Sequence, residues 1–139
     1  MFNAFHHVAV VVPELDEALE LFRDKMGLKV VMEWSSEAEG NRYAAVELAD
    51  GGNYLELICP VNKEISRFAD HLDRHGASVH HIAFRSDSMD ELIEQMEDKG
   101  ITGTEPMVSS SGWRINFFDE DTTLGVGLQL VDGKHENGS

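Results

Sequence analysis

An internal repeat constrains this chain more than any other feature. The word His6-His7-Val8-Ala9-Val10 returns 74 residues later as His80-His81-Ile82-Ala83-Phe84. The acidic pair Asp16-Glu17 returns at the same offset as Asp90-Glu91. One duplication explains both matches. When two copies of a unit that carries a histidine on a strand fold against each other, the two histidines can meet at one central point.

The length sets the size of the repeated unit. With 139 residues, 42% of them hydrophobic, the chain is long enough for one packed domain and too short for two ordinary ones. We therefore expect a single domain over residues 1–139 that is built from two half-sized modules. The predicted parts are module one over 1–60, a linker helix over 61–77, module two over 78–132 and a loose tail over 133–139.

The charge and the cysteine content limit the partners. Eleven basic and 26 acidic residues give a formal charge of −15, which repels nucleic acid and anionic membranes. We therefore expect a small-molecule substrate, with no nucleic-acid or membrane partner. The lone Cys59 cannot form an internal disulfide, and we find neither a secretory signal nor a membrane-length apolar run. These features predict a cytoplasmic protein.

Each half shows a strand, then a helix, then three further strands. Hydrophobic periodicity and turn residues predict the elements of the first half as strand 8–12, helix 15–22 ended by Gly27, and strands 29–33, 43–48 and 54–58, with a turn at 50–53. The second half is predicted as strand 80–85, a helix from a Ser88–Glu91 capping box to Gly100, and strands 103–105, 114–118 and 126–131, after a linker helix over 62–75. The sequence therefore predicts an α+β fold of two tandem βαβββ modules.

Alternation along the strands predicts a metal site. The apolar positions 8, 10 and 12 face the helix, so His7, and His81 by the repeat, face away from it. Glu56 and Gln129 each stand between two leucines, which places them on the same open side. Burying such polar groups without a partner is costly, and one cation would satisfy all four. Two imidazoles, a carboxylate and an amide oxygen suit one divalent ion, such as Zn, Co, Ni, Mn or Fe. Either histidine alone reads more simply as a hydrogen-bonded sheet residue.

These residues resemble a known family. The paired His-His words, the segment Leu55 to Pro60 and the run Gly112 to Phe117 look like the vicinal oxygen chelate superfamily of glyoxalases, bleomycin resistance proteins and dioxygenases. The likeness is greatest to methylmalonyl-CoA epimerases and next to glyoxalase I. It implies a U-shaped, curved mixed sheet with its helices outside. It also implies a metal on the cleft floor, bound by His7, Glu56, His81 and Gln129.

The chain departs from the epimerase pattern in three places. Epimerases of this type present His, Gln, His and Glu in chain order, whereas this chain presents His, Glu, His and Gln. Since an amide does not titrate, Gln129 cannot act as a base, and Glu56 is the predicted catalytic base. A second base is expected from the strand 43–48, near Ala44 or Ala45; neither can accept a proton, and Glu47 lies close to these positions. The loop 119–123, often basic in epimerases, is acidic here.

The predicted function is that of a metal-dependent isomerase or lyase, like a methylmalonyl-CoA epimerase, that enolises a small thioester or α-hydroxycarbonyl substrate. Arg114 and Arg85 are candidates to bind a substrate carboxylate, with a surface salt bridge as the alternative for each. Ser111 and Gly112 lie in a polar loop that either closes over the ligand or is a plain linker. The alternative functions are a lactoylglutathione lyase of the glyoxalase I type, an extradiol-type dioxygenase, and a metal-free ligand-sequestering protein. Exposed module edges predict a homodimer.

Overall fold

A computed structural model describes residues 1–48 and 53–132. The predicted tail at 133–139 and most of the predicted turn at 50–53 lie outside the described residues. The chain forms two compact units. The first unit comprises His7–His80, and the second comprises Met1–His6 together with the chain from His81 onward.

The first unit is a four-stranded sheet with helices. Its elements are β1 (Ala4–Val11, of which residues 7–11 belong to this unit), α1 (Leu15–Leu19), which continues as a π-helical segment over Glu20–Lys25, β2 (Lys29–Ser36), β3 (Asn41–Glu47), β4 (Tyr54–Pro60) and α2 (Ala69–His75). The strand order is β2-β3-β4-β1. β1 runs parallel to β4, and the other neighbours are antiparallel.

Helix α1 covers one face of this sheet because its apolar residues recur at helical spacing. Leu15, Ala18 and Leu19 are buried and pack in one cluster with Ala44 and Leu57 from the central strands. The helical segment ends where predicted, at Gly27, whose φ of 76° is a left-handed conformation that glycine adopts without strain. This packing defines the helix side of the first unit.

The second unit repeats the same plan. Its elements are β5 (Ser78–Ser86, of which residues 81–86 belong to this unit), α3 (Met89–Asp98), β6 (Met107–Val108), β7 (Arg114–Phe117), a 3₁₀ turn (Glu120–Thr122) and β8 (Leu128–Asp132). The strand order is β5-β8-β7-β6, with β5 parallel to β8. Met89 and Leu92 of α3 pack on Phe118 and Leu130, which defines the helix side of this unit. The α+β class and the two βαβββ modules are confirmed.

The first six residues pack with the second module. The backbone N–H of Asn3 donates to the carbonyl of Arg85 at 2.7 Å, and the Asn3 side-chain oxygen accepts a hydrogen bond from the N–H of Asp87 at 2.9 Å. The rings of Phe2 and Phe5 each lie 5.3 Å from the ring of Phe84. The sequence repeat does not predict that the first six residues belong to the second unit. It aligns equivalent residues but does not indicate which unit the end of a strand contacts.

Three local predictions were wrong. The linker helix is shorter than 62–75, since only Ala69–His75 is α-helical and the segment before it turns on the carbonyl of Asn62. Ser88 is the N-cap of α3, but its side chain makes no capping bond; its Oγ accepts from the N-terminal ammonium of Met1 at 3.2 Å. In place of a strand over 103–105 there is a single bridge between Gly103 and Phe118. Within the described ranges, every helix is too short or too polar to cross a membrane.

Candidate active site

In the first unit, His7 and Glu56 form a close pair on the sheet face away from α1. In the parallel pairing of β1 with β4, His7 lies opposite Tyr54, and Ala9 lies opposite Glu56. Since alternate residues share a face, His7 and Glu56 project to the same side, as predicted. The His7 side chain is only 6% exposed, and its Nε2 lies 3.7 Å from Oε2 of Glu56. We call these two residues the first pair.

Glu56 is poised to exchange a proton near neutral pH. Its side chain is 21% exposed. Burial, with a smaller contribution from the negative charge of Glu39, raises the pKa of Glu56 from 4.5 to about 7. A carboxylate whose pKa lies near the working pH is an effective general base, because the ionised form is still populated and it accepts a proton readily. The chemistry predicted for Glu56 is consistent with this environment.

In the second unit, His81 and Gln129 occupy the equivalent face. Ala83 lies opposite Gln129 in the pairing of β5 with β8, so His81 and Gln129 share the side away from α3. The His81 ring packs edge-on against Phe117, with the centroids 5.3 Å apart. Gln129 is 3% exposed, and its Oε1 has no hydrogen-bond partner among the described residues. We call His81 and Gln129 the second pair.

The two pairs have the chemistry of metal ligands. Two donor atoms on one zinc-like ion lie roughly 3–3.5 Å apart, close to the separation within the first pair. In the second pair, a buried carbonyl oxygen without a partner costs about 1–3 kcal/mol, which a cation would offset. In residues 1–48 and 53–132, no three His, Cys, Asp or Glu side chains form a group that could hold a metal ion. The structure thus presents the predicted ligands as two pairs, one in each unit.

A buried polar network lies on the same face as the first pair. The Tyr43 hydroxyl donates to Oε1 of Glu39 at 2.6 Å and accepts from Nδ2 of Asn41 at 2.9 Å. The Oγ of Ser66 donates in turn to Oδ1 of Asn41. The sequence pattern did not predict this network, because the predicted strand began at Tyr43 and left Glu39 and Asn41 outside it. β3 begins at Asn41, and the alternation of Asn41 with Tyr43 was the available signal.

The two candidate arginines lie on different faces. Asn116 pairs with Leu130, a residue of the helix-side core, so Arg114, two positions earlier, also lies on the helix side. Its guanidinium contacts Oδ1 of Asp90 on α3 at 2.6 Å. Arg85 pairs with Val131 and shares the face of the second pair. The geometry favours Arg85 over Arg114 as a group that faces a substrate near that pair.

Ser111 and Gly112 form part of the tight turn between β6 and β7. Oγ of Ser111 lies 2.6 Å from Oγ of Ser109, and the N–H of Gly112 donates to the carbonyl of Ser109 at 2.9 Å. Gly112 has a φ of 89°, a conformation that glycine supplies without strain. The substrate-binding role of this turn stays a prediction.

The fold, together with the polar pair on the sheet face away from each helix, defines a class of protein. Tandem βαβββ modules, each with a histidine and an acid or amide on the face away from its helix, are the arrangement that the sequence resemblance implies. The family model for the glyoxalase/bleomycin resistance protein/dioxygenase superfamily matches residues 6–117. The chain belongs to this superfamily, and the resemblance inferred from the sequence is confirmed.

Individual relatives agree with this placement. The uncharacterized protein YwkD of Bacillus subtilis (strain 168) is 25% identical over 134 residues, covering 92% of this chain and 97% of that protein. Methylmalonyl-CoA epimerase from Mycobacterium tuberculosis has a TM-score of 0.87 and 25% identity, over 94% of this chain and 88% of the other. A variant of the Streptomyces coelicolor methylmalonyl-CoA epimerase, in complex with 2-nitronate-propionyl-CoA, has a TM-score of 0.85 and 30% identity, over 95% and 98%.

Proposed function

We propose that this protein is a metal-dependent enzyme that removes and returns a proton next to a thioester carbonyl, with an acyl-CoA such as methylmalonyl-CoA as its substrate. The observation that carries the proposal is the first pair, in which a carboxylate with a pKa near 7 lies beside a buried imidazole. The similarity to methylmalonyl-CoA epimerases, one of them in complex with a CoA compound, supports the substrate class.

Four residues would hold one divalent ion: His7, Glu56, His81 and Gln129. When bound, such an ion would polarise the thioester oxygen and stabilise the negative charge of the enolate. The unsatisfied Gln129 oxygen and the nitrogen and oxygen donors of the first pair support this ligand set. Zn, Co, Ni, Mn and Fe all accept such donors.

Glu56 would act as the base that takes the proton from the α-carbon. Because Glu56 is partly buried, its carboxylate is weakly solvated and its pKa is raised to about 7. The carboxyl group would therefore hold the proton until the α-carbon takes it back. Gln129 in the second pair would bind without exchanging protons, because an amide does not titrate. On the same face as the second pair, Arg85 would bind the free carboxylate of the substrate.

Deuterium exchange tests this function directly. The protein is purified without added metal, its metal content is measured, and it is then loaded in turn with Zn, Co, Ni, Mn or Fe(II). Methylmalonyl-CoA is incubated with each form in D₂O, and α-deuterium is followed by NMR or mass spectrometry. We expect exchange that is lost after chelation and restored by metal. If every metal form leaves the α-proton in place, this function is wrong for that substrate.

The variant Glu56→Gln separates the roles of base and ligand. If Glu56 is chiefly a base, the variant keeps its metal and loses the exchange that Glu56 catalyses. If it is chiefly a ligand, the variant loses the metal itself. The matched control is Glu17→Gln, since Glu17 is an exposed glutamate on α1, which packs on the opposite face of the sheet. We expect this control to keep both metal and exchange.

A second candidate is a lactoylglutathione lyase of the glyoxalase I type. The observation that favours it is the single carboxylate among the four proposed ligands, because one base can take a proton from one carbon and return it to the next. The test is the same metal-loaded protein with the hemithioacetal of methylglyoxal and glutathione, followed through thioester absorbance. Thioester formation without exchange into methylmalonyl-CoA would select this candidate.

The remaining predictions belong to the same proposal. The enzyme would work in the cytoplasm as a homodimer. Light scattering of the purified protein would check the dimer, and a mass that corresponds to one chain would contradict it.

A further inference from the structure

We propose that Tyr43 is a second proton-transferring residue of the proposed enolisation, and that it acts as a relay to the carboxylate of Glu39. This inference rests on the proposed function. It addresses an open question in that function, since inverting a stereocentre requires proton transfer on both sides of the enolate and Glu56 serves only one.

The strand register places Tyr43 beside Glu56. In the antiparallel pairing of β3 with β4, Ala45 lies opposite Glu56, and Tyr43 lies opposite Ile58. Tyr43 and Glu56 are therefore diagonal neighbours on one face. Such neighbours lie about 7–8 Å apart at the backbone, a gap that aromatic and long side chains bridge. A substrate carbon between the two side chains would be approached by each from a different side.

The hydroxyl of Tyr43 is held in a fixed position. Its proton points to Glu39, and its oxygen accepts from Asn41, which is itself anchored by Ser66. The ring is fixed as well, because Trp34 stacks on it with the centroids 4.8 Å apart and the planes 12° apart. Since a hydroxyl oxygen has two lone pairs, one remains to accept a further proton after the bond from Asn41 is made.

The relay conserves protons and electrons. The α-carbon–hydrogen bond breaks, and its electron pair stays on the substrate as the enolate. The proton passes to the Tyr43 oxygen while the hydroxyl proton of Tyr43 passes to Glu39. In the reverse direction, Glu39 returns its proton to the Tyr43 oxygen and Tyr43 protonates the carbon. The relay forms no free phenolate. Burial, and then the hydrogen bond to Glu39, raise the pKa of Tyr43, so a free phenolate would be unfavourable.

Electrostatic effects also connect the network with Glu56. The charge of Glu39 contributes to the raised pKa of Glu56, and the charge of Glu56 contributes to that of Tyr43. These effects agree with the closeness that the register gives.

The test uses the two enantiomers of methylmalonyl-CoA separately, in D₂O, with the metal-loaded protein. Wild type is expected to exchange the α-proton of both and to interconvert them. Tyr43→Phe is expected to lose exchange from one enantiomer by about 10²-fold or more while exchange from the other persists. Glu56→Gln is expected to show the opposite selectivity if it retains metal. If Tyr43→Phe exchanges both enantiomers at the wild-type rate, the relay is wrong.

Glu39→Gln distinguishes a proton relay from a structural network. The amide oxygen of the variant can still accept the Tyr43 hydrogen bond, but it cannot take up a proton. We therefore expect the same enantiomer-selective loss with an unchanged melting temperature. Full exchange in Glu39→Gln would overturn the relay, and this variant keeps the test valid if Tyr43→Phe does not fold.

Tyr54→Phe is the matched control, because Tyr54 is the other tyrosine of the chain and shares the face of His7. Enantiomer-selective loss in Tyr54→Phe, with none in Tyr43→Phe, would overturn the assignment to Tyr43. The failure of the proposed function looks different: wild type itself would exchange neither enantiomer.

Discussion

The two units share a scaffold and differ in chemistry. In each, a strand carrying a histidine runs parallel to a strand carrying an acid or an amide, and a helix packs on the opposite face. The first unit has the titratable pair of His7 and Glu56. The second unit has His81 beside Gln129, whose amide does not titrate. The duplication thus preserves the positions of the two pairs, and of the two only the first pair contains a carboxyl group.

The surroundings of the two pairs reinforce this difference. On the face of the first pair stands the network of Glu39, Asn41, Tyr43 and Ser66, whose charges and hydrogen bonds act near Glu56. On the face of the second pair stands Phe117, which packs against His81. Polar and charged neighbours shift the pKa of a nearby carboxyl group, whereas an apolar contact restricts the orientation of an imidazole ring. We infer that the second pair serves chiefly to bind.

The largest expected effect comes from moving the carboxylate. Glu56→Gln should reduce α-proton exchange from the enantiomer that Glu56 serves by about 10²–10⁴-fold, whereas Gln129→Glu should leave exchange in place, because it adds a carboxylate without removing the base. Exchange into methylmalonyl-CoA in D₂O measures both. The double variant Glu56→Gln/Gln129→Glu has the order His, Gln, His and Glu. If it matches wild type, the position of the carboxylate is immaterial and the comparison of the two pairs has no functional meaning.

The cores of the two units should respond alike. Leu57 and Leu130 are fully buried on the helix side of their units. Truncation to alanine should lower the free energy of unfolding by about 2–5 kcal/mol in each case, because each leaves a cavity. Urea denaturation followed by circular dichroism measures this change. Losses that differ by several kcal/mol would show that the two cores are not equivalent. The control is Leu48→Ala, at a leucine that is 41% exposed.

Glu56 of the first pair should make a pH-dependent contribution to the stability of the metal-free protein. The pKa of Glu56 is raised from 4.5 to about 7, so its neutral form is favoured in the folded state. Its contribution to stability is fully present below about pH 4.5 and is lost as the pH rises to about 7, by up to about 3 kcal/mol. Denaturation in EDTA across this range, with Glu56→Gln as the reference, measures the difference. A constant difference between the two proteins would contradict the raised pKa.

The smallest expected effect distinguishes the two arginines. Arg114→Ala removes a partly exposed ion pair with Asp90 and should cost less than about 1 kcal/mol of stability, with KM unchanged. Arg85→Ala should raise KM for methylmalonyl-CoA while leaving the melting temperature nearly the same. Steady-state kinetics and thermal denaturation on both variants provide the check. A raised KM in Arg114→Ala alone would reverse the assignment of the substrate arginine.

The sequence determined the plan of the fold, because a repeat and the period-two alternation of strands are local patterns. His7, Glu56, His81 and Gln129 were assigned to faces by parity, and the register of the strands agrees. Local patterns failed where distant segments compete for the same groups. Ser88 fits a capping box by spacing, yet its hydroxyl is taken by the N-terminal ammonium of Met1. The sequence made Arg114 a candidate for substrate binding, but its guanidinium contacts the carboxylate of Asp90 on α3.

Only the tertiary structure decided what surrounds each pair. The raised pKa of Glu56 is a property of burial and of the nearby Glu39 charge, which lies far from it in the chain. The anchoring of Asn41 by Ser66 likewise joins two segments that no periodicity connects. The sequence by itself fixes which way a side chain points along a strand. Its electrostatic environment depends on packing between segments distant in sequence, so only the folded chain establishes it.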